Sequence, residues 1–240
     1  MLETSTEKNL IDHPNLVVLF PHMHSYCEKG LSNLVEGKDS FTVSTIETYA
    51  SGVFARVDEL DAALVSLRLA FRFVTELGSE PNPSPAIYRY HYENFVLRVI
   101  GLVDRAYRLV GASLLLPPEK YDAIRGNVFV QKATKTKHPR LHRALRSIAD
   151  AVNSYRGPRN ELIHSTAYFS RELGIFMGID QFSVDTGSVD MSELKRDYSS
   201  AGAAEIEQTI ERLVATLTAL LDELGPAFST AHTFSVSKTN

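Results

Sequence analysis

The chain has 240 residues, enough for one large domain or two small ones, and 44% of them are hydrophobic, which supports a sizeable core and excludes global disorder. Its formal net charge of −4 argues against nucleic-acid binding by overall charge and leaves that role to a local basic patch. A single cysteine, Cys27, excludes an internal disulfide and fits a reducing cytoplasm, and the apolar run Leu16 to Phe20 is too short for a signal core or a membrane span. A cytoplasmic protein without membrane attachment is expected.

Residues 1–42 show weak periodicity and are expected to pack on the rest or to be partly ordered. Four strong helical patterns follow. The first runs from about Ile46 to Leu77, opened by a Ser44/Glu47 capping box and stopped at Gly78. Its seam is Val53, Val57, Leu60, Leu64, Leu67, Phe71 and Val74, whose steps alternate four and three as one buried helical face requires. Ser84-Pro85 then reads as a cap followed by a first-position proline. The second seam, Tyr88, Tyr92, Phe95, Val99, Leu102, Ala106 and Leu109, ends at Gly111. The intervening linker, residues 78–84, is short and rich in proline and glycine, so these two helices are expected to be antiparallel neighbours.

The third pattern starts at Pro139 and carries Leu141, Leu145, Ile148, Val152 and Tyr155. Pro158 is expected to open a helix reaching about Ser170. Residues 174–184 read as a short strand pair or an irregular excursion. The fourth pattern spans about Ala203 to Leu224 through Ile206, Ile210, Leu213, Leu217 and Leu220, with Gly225-Pro226 as its stop and a frayed tail from 227 to 240. Seams of this kind pack at shallow angles, so the fold class is all-α, an antiparallel helical bundle over residues 43–226. A helix of about 30 residues is about 45 Å long, a length that suits a dimer interface.

The chemistry concentrates in Arg159-Asn160-Glu161-Leu162-Ile163-His164. A guanidinium, a carboxamide and an imidazole together can hold a phosphodiester and move a proton without a metal. Behind the break Tyr155-Arg156-Gly157-Pro158, Arg159 and Asn160 are expected in the first turn of a helix, where free amides and the helix dipole favour an anion. Five residues advance about 140° around an ideal helix. Arg159 and His164 therefore diverge unless the N-terminus is irregular or a second subunit completes the site. The structural alternative pairs Arg159 with Glu161 or another surface acid and leaves His164 to packing.

An Arg-Asn-x3-His element at the head of a helix within an all-α bundle resembles the HEPN superfamily, whose motif is Arg-x4–6-His. Arg159, Asn160 and His164 match it residue for residue, and the stretch Tyr90 to Phe95 through Arg98, Asp104 and Arg105 resembles the upstream helix of bacterial HEPN-like proteins. The similarity extends over residues 45–224. It implies a homodimer in which two motifs meet in one cleft, and metal-independent cleavage of RNA to 2′,3′-cyclic phosphate and 5′-OH ends, with no cofactor. In that scheme His164 is the acid–base group, Arg159 stabilises the transition-state charge, and Asn160 orients the phosphate or the imidazole. A setting in toxin–antitoxin or phage-defence biology, with an antitoxin or defence partner, belongs to the same resemblance. So does the alternative of a catalytically silent scaffold that binds a nucleotide, RNA or a protein.

Three further features stand apart from the motif. Glu93 and Asp104 share a stripe of the second helix and are candidates to orient Arg159 or His164, against the plainer reading of salt bridges with Arg98 or Arg105. From Ala123 to Ala149 there is no acidic residue, while Arg125, Lys132, Lys135, Lys137, Arg140, Arg143 and Arg146 supply seven positive charges. Lys132, Lys135, Lys137, Arg140 and Arg143 are expected to contact an RNA backbone, against the plainer reading of a solvated face. His22-x-His24-x2-Cys27 offers three ligands without a fourth or a fingerprint spacing, so no metal is assigned.

Overall fold

The computed structural model of the chain describes residues 9–164 and 167–237. Every regular element among them is helical: α1 (Phe20–Val35), α2 (Thr45–Gly78), α3 (Pro85–Val99), α4 (Gly101–Ser113), α5 (Pro118–Tyr121), α6 (Gly126–Lys137), α7 (Pro139–Ala151), α8 (Arg156–His164), α9 (Arg171–Phe182) and α10 (Met191–Ser237). Short 3-10 turns occupy Leu10–Asp12, Pro14–Leu19 and Asn153–Tyr155. The described residues cluster into two units, one drawn from 1–62, 103–148 and 215–240, the other from 63–102 and 149–214.

In the first unit the capping box at the start of α2 is formed in both directions. The Ser44 N–H donates to Glu47 Oε2 at 2.7 Å, and the Glu47 N–H donates to Ser44 Oγ at 3.3 Å. Lys29 Nζ and Ser25 Oγ also donate to this carboxylate, at 2.7 and 2.6 Å. These bonds, the one from Lys29 foremost, hold its pKa down at about 2. Val53, Val57 and Leu60 of the predicted seam are buried, as are Leu10, Leu16 and Leu19 from the N-terminal turns. The N–H groups of Leu10 and Ile11 donate to the Asp61 carboxylate at 2.8 and 3.0 Å.

The expected stop at Gly225-Pro226 is not a stop: α10 runs through Pro226 to Ser237, so residues up to that point are helical rather than frayed. A proline inside a helix removes one N–H and strands the carbonyl four residues earlier. That carbonyl belongs to Asp222, and Asn15 Nδ2 donates to it at 3.4 Å and to the Leu221 carbonyl at 3.3 Å. Gly225 makes room for the carboxamide, since a Cβ there would lie 2.7 Å from Asn15 Nδ2. Phe228, fully buried two residues beyond Pro226, anchors the continuation.

In the second unit the seams are the buried faces, with Leu64, Leu67, Val74, Tyr88, Tyr92, Phe95, Val99, Leu102, Ile206, Ile210 and Leu213 all buried and Phe71 half-buried. The Ser84 cap is made, its Oγ accepting the Ile87 N–H at 3.4 Å. The second predicted helix is divided into α3 and α4 at Ile100, next to Gly101, the weakest helix former in the run. Residues 171–182 form α9 in place of a strand pair or irregular excursion. Ser170 Oγ accepts the Leu173 N–H at 3.1 Å and sets its start.

Candidate active site

The second unit positions the hexapeptide through the residue before it. Tyr155, in the 3-10 turn that leads into α8, is buried with its ring edge-on to Phe95 at 5.2 Å. Its hydroxyl meets Glu205 Oε1 at 2.8 Å and Thr209 Oγ1 at 2.9 Å, and Tyr92 donates to the same Glu205 oxygen at 3.0 Å. The entry to α8 is thereby tied to α3 and α10, and α8 packs against α3. Burial pushes the phenols of Tyr92 and Tyr155 well above their ordinary range, so both remain donors at any physiological pH. Tyr92 and Tyr155 were legible only as seam residues. Glu205, which joins them, lies off the seam of α10 and carries no signal of its own.

The helix opens at Arg156, two residues before the expected proline. Pro158 occupies its third position, where no intrahelical acceptor awaits an N–H. Arg159 and Asn160 are consequently the fourth and fifth residues, past the first turn, and the argument from free amides at a helix start does not carry over to them. No residue of α8 is buried. Arg159 is half-buried and its Nη1 donates to Asn160 Oδ1 at 3.4 Å, while Asn160 and His164 are exposed. The regular helix keeps the divergence of about 140° between Arg159 and His164.

Of the two carboxylates considered beside the motif, Glu93 lies on α3 in this unit. It accepts the Tyr168 N–H at 2.7 Å and faces Arg89 Nε at 3.9 Å, so it holds the chain four residues beyond His164. Asp104 belongs to the first unit and accepts from Asn127 Nδ2 at 2.6 Å. Their described partners are therefore Arg89, Tyr168 and Asn127, and not Arg98 or Arg105.

Lys132, Lys135 and Lys137 on α6 and Arg140 and Arg143 on α7 are all exposed, together with Arg125 and Arg146. None of the seven has an ion-pair partner among the described residues, and Arg125 to Arg146 all lie in the first unit. His22 Nε2 lies 2.9 Å from His232 Nδ1, His24 stacks on Phe20, and Cys27 is exposed. Among the described residues no group of three or more His, Cys, Asp or Glu side chains is placed to hold a metal ion. No helix among them is long and apolar enough to cross a membrane.

A fold whose regular elements are all helical among the described residues agrees with a protein of HEPN type. The family model for HEPN_Cthe2314-like HEPN matches residues 33–225, most of the chain, and the protein belongs to that family. Comparison with curated proteins and with solved structures gives no match.

Proposed function

We propose that the protein is a metal-independent endoribonuclease acting as a homodimer. The observation that supports this reading is α8 itself, a nine-residue helix without a buried side chain that carries the guanidinium, carboxamide and imidazole together. In the reaction, the His164 imidazole takes the proton of a ribose 2′-OH, and the 2′-oxygen attacks the adjacent phosphorus. The bond to the 5′-oxygen breaks, and that oxygen leaves with a proton from an imidazolium. The products are a 2′,3′-cyclic phosphate and a 5′-OH. Arg159 neutralises the charge that builds on the phosphorane oxygens, and Asn160 holds the guanidinium by its side-chain oxygen. Lys132, Lys135, Lys137, Arg140 and Arg143 contribute contacts to the RNA backbone. Glu93 acts as a positioning residue through Tyr168, and Asp104 steadies α6 through Asn127. The setting is toxin or phage-defence biology, with an antitoxin or defence partner.

A second reading, a catalytically silent scaffold for RNA, a nucleotide or a protein, draws on the divergence of Arg159 from His164 within one helix. The two readings separate in one assay. A mixed tRNA and mRNA pool is incubated in EDTA with wild type and with His164→Ala. The nuclease gives cyclic-phosphate ends that disappear in the variant, with a loss of at least about 100-fold for removal of the acid–base group. RNA retained but uncut by a folded wild-type dimer supports the scaffold.

A further inference from the structure

Phe169 lies five residues beyond His164 and is 74% exposed. A single exposed aromatic residue is unremarkable by itself. This one is held in place on three sides. The residue before it is fixed by Glu93, which accepts the Tyr168 N–H, and by the Tyr168 ring, which packs on Tyr92 at 4.5 Å. The residue after it, Ser170, caps α9 and meets the Tyr198 hydroxyl at 2.7 Å. The ring itself rests its Cε2–Cζ edge on Gly174. A Cβ at that position would lie 2.4 Å from Cε2 and 2.7 Å from Cζ, so only glycine admits the ring there.

Burying a phenylalanine side chain favours folding by about 1.5–3 kcal/mol, and the fold forgoes most of that here while ordering the backbone on both sides. Two residues further along the chain, Arg171 opens α9. It is exposed and has no carboxylate partner among the described residues, at the end of a helix where a cation is disfavoured. An open, pre-positioned ring followed two residues later by an exposed cation, unpaired among the described residues, matches the two needs of a single-stranded nucleotide, a surface for the base and a charge for its phosphate. The Glu93 and Tyr92 positions that anchor this segment lie on α3, the helix against which α8 packs.

We propose that Phe169 is a base-stacking platform for single-stranded RNA, with Arg171 on the adjoining phosphate. The proposal rests on the endoribonuclease reading for the identity of its ligand and adds a subsite to it. Because stacking on an aromatic ring tolerates any base, the subsite confers a preference for unpaired RNA rather than for a sequence.

The chain contains no tryptophan, so Phe169→Trp introduces a single fluorophore at the platform. The full chain with His164→Ala, to prevent cleavage, is titrated with a 5′-labelled unstructured RNA, following anisotropy of the label and emission of the tryptophan. Emission is expected to be quenched in step with binding, and an abasic oligonucleotide of the same length is expected to bind without quenching. In the same background Phe169→Ala is expected to weaken binding about tenfold. Gly174→Ala, which raises helix propensity yet evicts the ring, is expected to match it.

Binding with unchanged emission and an unaltered Phe169→Ala affinity overturns the platform, as does a blue shift that follows protein concentration without RNA, which marks a protein contact. Absence of RNA binding overturns both the platform and the nuclease. Quenching by RNA that the wild type does not cut retains the platform and removes the nuclease; cutting without quenching does the reverse.

Discussion

Glu47 shows how one side chain can bear on two elements at once. It caps α2 through Ser44 and receives Lys29 and Ser25 of α1. Its pKa falls from 4.5 to about 2, because every one of those bonds favours the carboxylate. A group whose folded pKa is depressed stabilises the fold fully above its unfolded value, and that contribution drains away as pH falls from 4.5 towards 2. Glu47→Gln keeps the shape and removes the charge. It is expected to lower stability at pH 7 by about 1–2 kcal/mol and to flatten the stability profile across that acid window, as measured by urea unfolding at a series of pH values. His22 contributes in a different window. Burial, and then His232, lower its pKa, so its share is complete above 6.5 and declines on acidification. A Glu47→Gln profile as steep below pH 4.5 as that of wild type refutes the assignment. At this scale the capping box was legible because it is written in four consecutive residues. Lys29 and Ser25 were not, since they reach Glu47 only through tertiary packing. The same distinction divides the candidate site. Arg159, Asn160 and His164 were legible as a local string, whereas the hold of Glu93 on Tyr168 depends on α3 packing beside that segment.

Among the helices, burial wrote the strongest signal. A face that must exclude water forces apolar residues into steps of three and four, and the predicted seams of α2, α3, α7 and α10 are buried almost without exception. Two elements escaped for opposite reasons. In α9, Gly174 and Gly178 dilute helix propensity and Ile175 and Phe182 remain exposed, so the segment has no clean polar face. In α10, Pro226 is a strong local stop, and the helix survives it because Asn15 supplies the missing donors from more than 200 residues away in the sequence. That rescue predicts a coupling. Asn15→Ala in the wild type is expected to cost about 0.5–1.5 kcal/mol, the net worth of a typical hydrogen bond, since it removes the side-chain donor to the Asp222 carbonyl. In a Pro226→Ala background the backbone N–H of residue 226 is restored to Asp222, and the same change is expected to cost at least about 0.5 kcal/mol less. Equal costs in the two backgrounds, measured by denaturant unfolding, show that Asn15 does not answer to the proline.

For the molecule as a whole, the proposed activity turns on how one site would obtain both an arginine and a histidine. Within α8 the two side chains point about 140° apart, a geometry that suits a composite site built across a two-fold axis. In such a dimer Arg159 of one protomer faces His164 of the other, and each interface patch meets its own copy. A mixture of two inactive variants then tests the arrangement directly. In an Arg159→Ala/His164→Ala heterodimer, one site carries both substitutions and the other carries none. With free exchange of subunits at equal concentrations, half the dimers are mixed and one of their two sites is intact. Cleavage is expected to recover to about a quarter of the wild-type rate, from two preparations that are each inactive alone. A site contained within one protomer gives no recovery at any mixing ratio, because every protomer in the mixture lacks one of the two groups. Recovery that rises with the extent of subunit exchange, followed by mass spectrometry of the same mixture, ties the activity to the mixed dimer and places the two halves of the motif on different chains.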